Sequence, residues 1–122
     1  MMKTHNVKKG NAGEELAASF LKNANHLICD RNYKKSTGEI DIISRDGETL
    51  VFTEVKYRKN LEYGYPKEAV NRTKQKRITK TALWYIKEKK LEDMNVRFDV
   101  IEIYFIKDGQ QIINHFEGAF SF

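Results

Sequence analysis

Cysteine, proline and histidine are scarce in this chain of 122 residues, and each scarcity closes off a class of protein. Cys29 is the single cysteine, so neither an internal disulfide nor a Cys-x-x-Cys metal knuckle can form, and a reducing cytoplasm is the expected compartment. His5, His26 and His115 are far apart and show no HExxH or HxH spacing, which argues against a histidine-built zinc site. A single proline excludes collagen and proline-rich stalks. No apolar run approaches the roughly 18 residues that a membrane-spanning helix needs. The lysines of MMKTHNVKKGNAGEE have no apolar segment behind them, as a signal peptide would require.

What remains is a composition that can fold. Hydrophobic residues make up 40% and charged residues 32%, enough apolar material for one ordinary domain over 1–122, with no repeat and no linker. The net charge of +5 is unevenly spread. Residues 1–55 are balanced, with 8 basic and 8 acidic groups. Residues 56–90 hold 12 basic groups against Glu62, Glu68 and Glu88, and residues 91–122 hold Arg97 and Lys107 against 6 acids. A middle third this basic fits either a polyanionic partner or a solvated lysine-rich helix face.

The hydrophobic spacing predicts a helix over 11–22, with Ala12, Leu16, Ala17, Phe20 and Leu21 on one stripe and Asn11 as N-cap. Strands are predicted over 26–33, from Gly38 through EIDIISR, and over 48–58 (ETLVFTEVKYR), with Asp46-Gly47 as a two-residue turn. Gly64 and Pro66 mark a loop in which Tyr63 and Tyr65 flank Gly64, placed either to stack on a nucleobase or, the reading we favour, to cover the core. A second helix is predicted over 67–90, with Ala69, Val70, Thr73, Ile78, Ala82, Tyr85 and Ile86 on one face. RFDVIEIYFI is a fourth strand, Asp108-Gly109 a turn and 111–116 the returning strand. The order α-β-β-β-α-β-β gives an α/β or α+β domain, a mixed sheet flanked by helices.

The chemistry concentrates on the second and third strands. With the turn at Asp46-Gly47, Asp41 faces Phe52 and Glu39 faces Glu54. Alternation then puts Glu39, Asp41, Glu54 and Lys56 on one face, and Ile40, Ile42, Val51, Thr53 and Val55 on the other. Opposed carboxylates destabilise a sheet unless a cation joins them. Mg²⁺ characteristically binds through one or two carboxylates plus waters and phosphate oxygens. Asp41 and Glu54 are therefore candidate ligands, with Lys56 beside them to hold a water or a phosphate oxygen. The competing reading is a row of surface ion pairs, with Lys56 bonded to Glu54 or Glu39.

These residues resemble a known family. Gly38-Glu39-Ile40-Asp41 followed by Glu54-Val55-Lys56 and Arg58 looks like the core of the PD-(D/E)XK nuclease superfamily, the restriction-endonuclease-like fold. The wider pattern resembles the YraN-like family of small bacterial proteins, related to Holliday junction resolvases. It includes Gly10-x-x-Gly13-Glu14 with Ala17, Arg31-Asn32, Gly64-x-Pro66 and Arg97-Phe98-Asp99-Val100, and it runs from about Gly10 to Ile103. Ile40 stands where the superfamily name has proline, a frequent variation that removes no ligand.

The resemblance implies a five-stranded mixed sheet of α/β type. It also implies Mg²⁺ or Mn²⁺ held by Asp41, Glu54 and the Val55 carbonyl, with Lys56 orienting the attacking water. The implied activity is hydrolysis of phosphodiester bonds in DNA, branched or damaged DNA among the substrates; the alternative is a nucleic-acid-binding module of the same fold without catalysis. It carries over a homodimer as the assembly and no membrane. Glu14 is either a further acid at the site or a first-turn dipole charge. On a helical wheel it borders the packed face, whereas Glu15 points to solvent. Glu39 is either a supporting acid or structural. Lys74, Lys76, Arg77 and Lys80, with Arg58, suit contacts to the phosphate backbone. Arg97 and Asp99 share a strand face and read as a structural ion pair.

Overall fold

The computed structural model describes residues 3–58 and 70–122. Helix α1 (Lys3–Asn23) leads into strands β1 (Leu27–Lys35), β2 (Gly38–Asp46) and β3 (Thr49–Arg58). Helix α2 (Arg72–Lys89), strand β4 (Asn95–Phe105), a short 3-10 turn (Lys107–Gly109) and strand β5 (Gln111–Phe120) complete it. This is the expected α-β-β-β-α-β-β order. The five strands lie side by side in chain order. β3 and β4 are parallel, and the other neighbours are antiparallel. A parallel pair needs a crossover, and α2 provides it. The expected loop at Tyr63, Gly64, Tyr65 and Pro66 and residues 67–69 of the expected second helix lie outside the described residues; Val70 and Asn71, expected inside that helix, precede it, because Asn71 caps a helix that starts at Arg72.

The sheet separates two apolar layers. Ile43, Leu50, Phe52, Phe98 and Val100 pack with Ile78, Ala82, Tyr85 and Ile86 of α2. Ile42, Ile101 and Ile103 pack with Ala17, Ala18 and Leu21 of α1. α2 is closed at both ends. The Asn71 side chain accepts from the Lys74 amide at 2.8 Å, and left-handed Lys90 donates its N–H to Ile86 and Lys87. Thr73, expected on the buried face of α2, is exposed, and Thr81 is buried in that role.

Three expectations are corrected. α1 begins at Lys3, so Asn11 is inside the helix rather than its cap, and no acid occupies the first turn. The first-turn reading of Glu14 falls with it. The β2–β3 turn is Gly47-Glu48, because Asp46 pairs with Thr49; Gly47, at φ 61°, takes the left-handed position that such hairpins reserve for glycine. The register moves by two residues, so the ladder step beyond Ile42↔Thr53 brings Asp41, not Glu39, against Glu54.

The third correction concerns alternation. Ile40 packs in the α2 layer and Ile42 in the α1 layer, although strict alternation puts them together. β2 turns over at Asp41, and its ladder with β3 ends there while its pairing with β1 continues to Gly38. β1 turns over in step. Arg31 reaches α1, Tyr33 reaches α2, and between them Asn32 takes φ 54°. β2 and β3 therefore part company at the residues that carry the carboxylates.

Candidate metal and phosphate site

The parting of β2 from β3 opens a cleft of about 460 Å³. Its floor is Glu39, Asp41, Glu54, Val55 and Lys56; its walls are Gly13 and Glu14 of α1 and Lys74 and Arg77 of α2. All five residues predicted as catalytic thus line one cavity. Gly13 is there because α1 comes so close: a Cβ at that position would stand 2.9 Å from the Tyr57 ring.

Asp41 takes over a hydrogen bond that the missing ladder would have supplied. Its Oδ2 accepts the Val55 amide at 2.8 Å. Burial, the Glu54 carboxylate and a hydrogen bond shared with Glu54 push the Asp41 carboxyl up to about 8, against the Val55 amide. Two carboxyl groups at hydrogen-bond distance cannot both ionise cheaply, so the pair favours holding a proton between them.

Glu54 is only 5% exposed. Its nearest cation is Lys74 of α2, with Nζ 2.7 Å from Oε2, whereas Lys56 Nζ stands at 4.0 Å. The Glu54 hydrogen bond raises the Lys74 ammonium above its ordinary value. The ion-pair reading thus finds its Lys56–Glu54 contact, but only at 4.0 Å and on a buried carboxylate. The shorter contact is that of Lys74, which was expected to face only phosphates and belongs to the site itself. In the parallel ladder Lys56 neighbours Glu102, a buried acid that accepts the Tyr104 hydroxyl at 3.1 Å. Glu102 escaped the sequence reading because acids alternating with isoleucine look like an ordinary half-exposed strand.

Glu14 is drawn into the cleft from α1. Burial raises its carboxyl, opposed by a hydrogen bond from Asn32 and the Arg31 charge, while Glu39 and Glu54 push it further up. Its Oε1 is buried without a hydrogen bond, 3.8 Å from the Arg31 guanidinium. Arg31 spends its shorter contact, 2.5 Å, on Glu15, which is exposed as expected. Left-handed Asn32 was not assigned a role from the sequence, and the Arg31-Asn32 pair was its only trace. Glu39 sits at the rim, 40% exposed, with Lys34 at 4.0 Å.

The donor set fits a small hard cation. Among the described residues, no group of three or more His, Cys, Asp or Glu side chains converges as an all-protein cage. Two carboxylates that crowd one another are instead what Mg²⁺ uses when phosphate oxygens and waters complete its shell. Arg77 and Lys74 bring positive charge to the same opening. Lys76 and Lys80 are exposed on α2, and Arg58 ends β3 with its side chain outside those described.

A separate ionic network fills the far end of the sheet. Arg97 binds Asp99 through Nε at 2.9 Å and Nη2 at 3.0 Å, the structural pair expected from the sequence. Asp99 also takes His115 Nε2 at 2.8 Å and the Gly118 amide at 3.0 Å, and Arg97 reaches Asp46 at 3.0 Å.

Residues 13–103 match the uncharacterised protein family UPF0102. Similar chains, each called a UPF0102 protein, include one from Clostridium botulinum, 48% identical over 98% of both chains. One from Geotalea daltonii is 46% identical over 97% of this chain and 93% of its own. One from Syntrophus aciditrophicus is 45% identical over 89% and 86%. Matched over three quarters of its length, with its cleft built from residues inside that span, the chain belongs to the UPF0102 family, also known as the YraN family.

Proposed function

We propose that this protein is a Mg²⁺- or Mn²⁺-dependent hydrolase of phosphodiester bonds in DNA, a nuclease of PD-(D/E)XK type. The observation that carries the reading is the opened end of the β2–β3 pair. It places Asp41 and Glu54 in contact inside a cleft that the cations Lys56, Lys74 and Arg77 line together with the further acids Glu14 and Glu39.

Asp41, Glu54 and the Val55 carbonyl would hold the ion, which when bound polarises a phosphoryl oxygen and acidifies a water. Each residue then has a distinct task. The Val55 N–H fixes the Asp41 rotamer. Lys74 is the ion-pair partner of Glu54 in a nearly dry position, at 2.7 Å. Lys56, 4.0 Å from Glu54, orients the attacking water and offsets charge at phosphorus. Arg77 reaches the substrate's neighbouring phosphates. Glu14 brings a further acceptor to the cleft, its Oε1 making no hydrogen bond and standing 3.8 Å from the Arg31 guanidinium.

Pure protein incubated with linear, nicked, flap and four-way DNA should cut at least one of them with Mg²⁺ or Mn²⁺ and none with EDTA. Glu54→Ala should abolish the cut. A protein that binds DNA yet cuts none of the four with either metal would be the binding module of the same fold.

A further inference from the structure

A second cavity adjoins the first across the β1–β2 turn. It measures about 440 Å³, and its lining includes Thr37, Lys80, Leu83, Trp84, Lys87 and Glu92. Gly38, next to Thr37, belongs to the first cleft, and so does Arg77, next on the helix surface to Lys80. The seam between the cavities is tied down. Thr37 Oγ1 bonds Thr81 Oγ1 at 2.7 Å, and a Cβ on Gly38 would lie 3.3 Å from both Arg77 and Thr81.

Trp84 is the chain's single tryptophan and is 49% exposed, beside Leu83 at 50%. It lies ten residues past Lys74, or about 15 Å along the helix. That is the span of roughly three to five nucleotides of one strand. α2 carries seven basic residues against Glu88, and Lys80 and Lys87 stand one turn to either side of Trp84. Lys35 Nζ lies 5.8 Å from the indole centroid and 2.6 Å from Glu88. A large aromatic flanked by cations and continuous with a phosphate-binding cleft is what a nucleobase with its two phosphates requires.

We infer that Trp84 is a stacking platform for an unpaired base of the DNA whose phosphodiester occupies the cleft, so that the substrate carries single-stranded character a few nucleotides from the cut. This rests on the reading of the cleft as a phosphodiester site. A base inside a duplex has its faces covered by its neighbours, so it cannot use the indole; an unpaired one can.

Because Trp84 is the only indole, intrinsic fluorescence reads it directly. The full chain in EDTA, where no cutting occurs, is titrated with end-labelled twelve-nucleotide oligothymidylate and with a twelve-base-pair blunt duplex. Label anisotropy follows binding and tryptophan emission follows stacking. The single strand should quench emission in step with binding, and the duplex should bind without quenching. Trp84→Ala should weaken single-strand binding roughly five- to a hundredfold, change duplex binding by less than about twofold, and be largely rescued by Trp84→Tyr. The site is half-exposed, so the variants should keep the parent melting temperature. Saturable anisotropy with unchanged emission, or equal affinity of Trp84→Ala for the single strand, overturns the assignment; the patch would then be a protein-docking face. Quenching without any metal-dependent cutting upholds the platform and removes the hydrolase reading, and cutting without quenching does the reverse.

Discussion

Asp41→Asn should stabilise the metal-free protein, and the gain should depend on pH in a defined way. Asn keeps an oxygen for the Val55 amide and offers N–H to Glu54, so shape is conserved while the charge conflict is removed. The Asp41 carboxyl stands at about 8 against an ordinary 3.8. Each unit is about 1.36 kcal/mol. At pH 7 the unfolded chain has released this proton and the native one still holds it, a cost on the order of 4 kcal/mol that the variant escapes. The sign follows from proton counting: the native state binds more protons between about pH 4 and 8, so parent stability falls as pH rises across that window. Denaturant or thermal unfolding of both proteins from pH 4 to 9 should show their difference growing by up to about 1.4 kcal/mol per pH unit and levelling above 8. Metal closes the comparison. Binding exchanges the shared proton for the ion, so Mg²⁺ should stabilise the parent by about 2.7 kcal/mol at 100-fold excess over its dissociation constant. The concentration needed should fall as pH rises toward 8, and Asp41→Asn should not respond. A stability difference that is flat with pH, with no metal shift at millimolar Mg²⁺ or Mn²⁺, would refute both the shared proton and the ion site.

Lys56→Ala should keep or tighten the metal response, since it removes a like charge, while losing cleavage; lost metal binding would make Lys56 structural. Lys74→Gln should cost about 1–2 kcal/mol without metal, by leaving buried Glu54 uncompensated, and recover that loss when Mg²⁺ is added in a thermal scan. Duplex binding should weaken with salt at a slope of roughly −3 to −4 in log–log form for four phosphate contacts, and the Lys76, Arg77 and Lys80 triple substitution should flatten it. An unchanged slope would move the DNA face off α2. Burial pushes the Asp99 carboxyl up, but the hydrogen bonds from His115, Arg97 and the Gly118 amide outweigh it and hold it below the ordinary range. Its contribution is therefore full above that range and lost as pH falls through it, and Asp99→Asn should remove this acid limb from the stability profile while lowering stability at pH 7.

Hydrophobic spacing made the element order readable, because each layer buries a stripe of the right period: Ala17 and Leu21 on α1, Ile78, Ala82 and Tyr85 on α2. Acid-x-lysine after a short hairpin pointed to residues that line one cavity. Three things were not readable. Whether Asp46-Gly47 or Gly47-Glu48 forms the turn depends on which residue takes positive φ, and both pairs are plausible turn chemistry. The reversal at Asn32 and Asp41 leaves no mark in hydropathy, since Ile40 and Ile42 are equally apolar and only their neighbours reveal opposite layers. Lys74 was placed with the phosphate-facing lysines because nothing in a basic run shows which member turns inward. Its partner, Glu54, lies twenty residues away across the crossover.

The early end of the β2–β3 ladder also decides what sets the gauge of the site. In an intact antiparallel pair, opposed Cα atoms are held about 4.5–5.5 Å apart by the ladder itself. Here Asp41 and Glu54 stand just past its last rung, linked through one amide contact to Val55. The aperture between them is governed by how closely the two helices wedge the strands apart: α1 through Gly13 against Tyr57, and α2 through Arg77 against Gly38. A methyl group added at either glycine would act as a shim. The width of the cleft can thus be adjusted by helix packing, with Asp41, Glu54 and Lys56 unchanged.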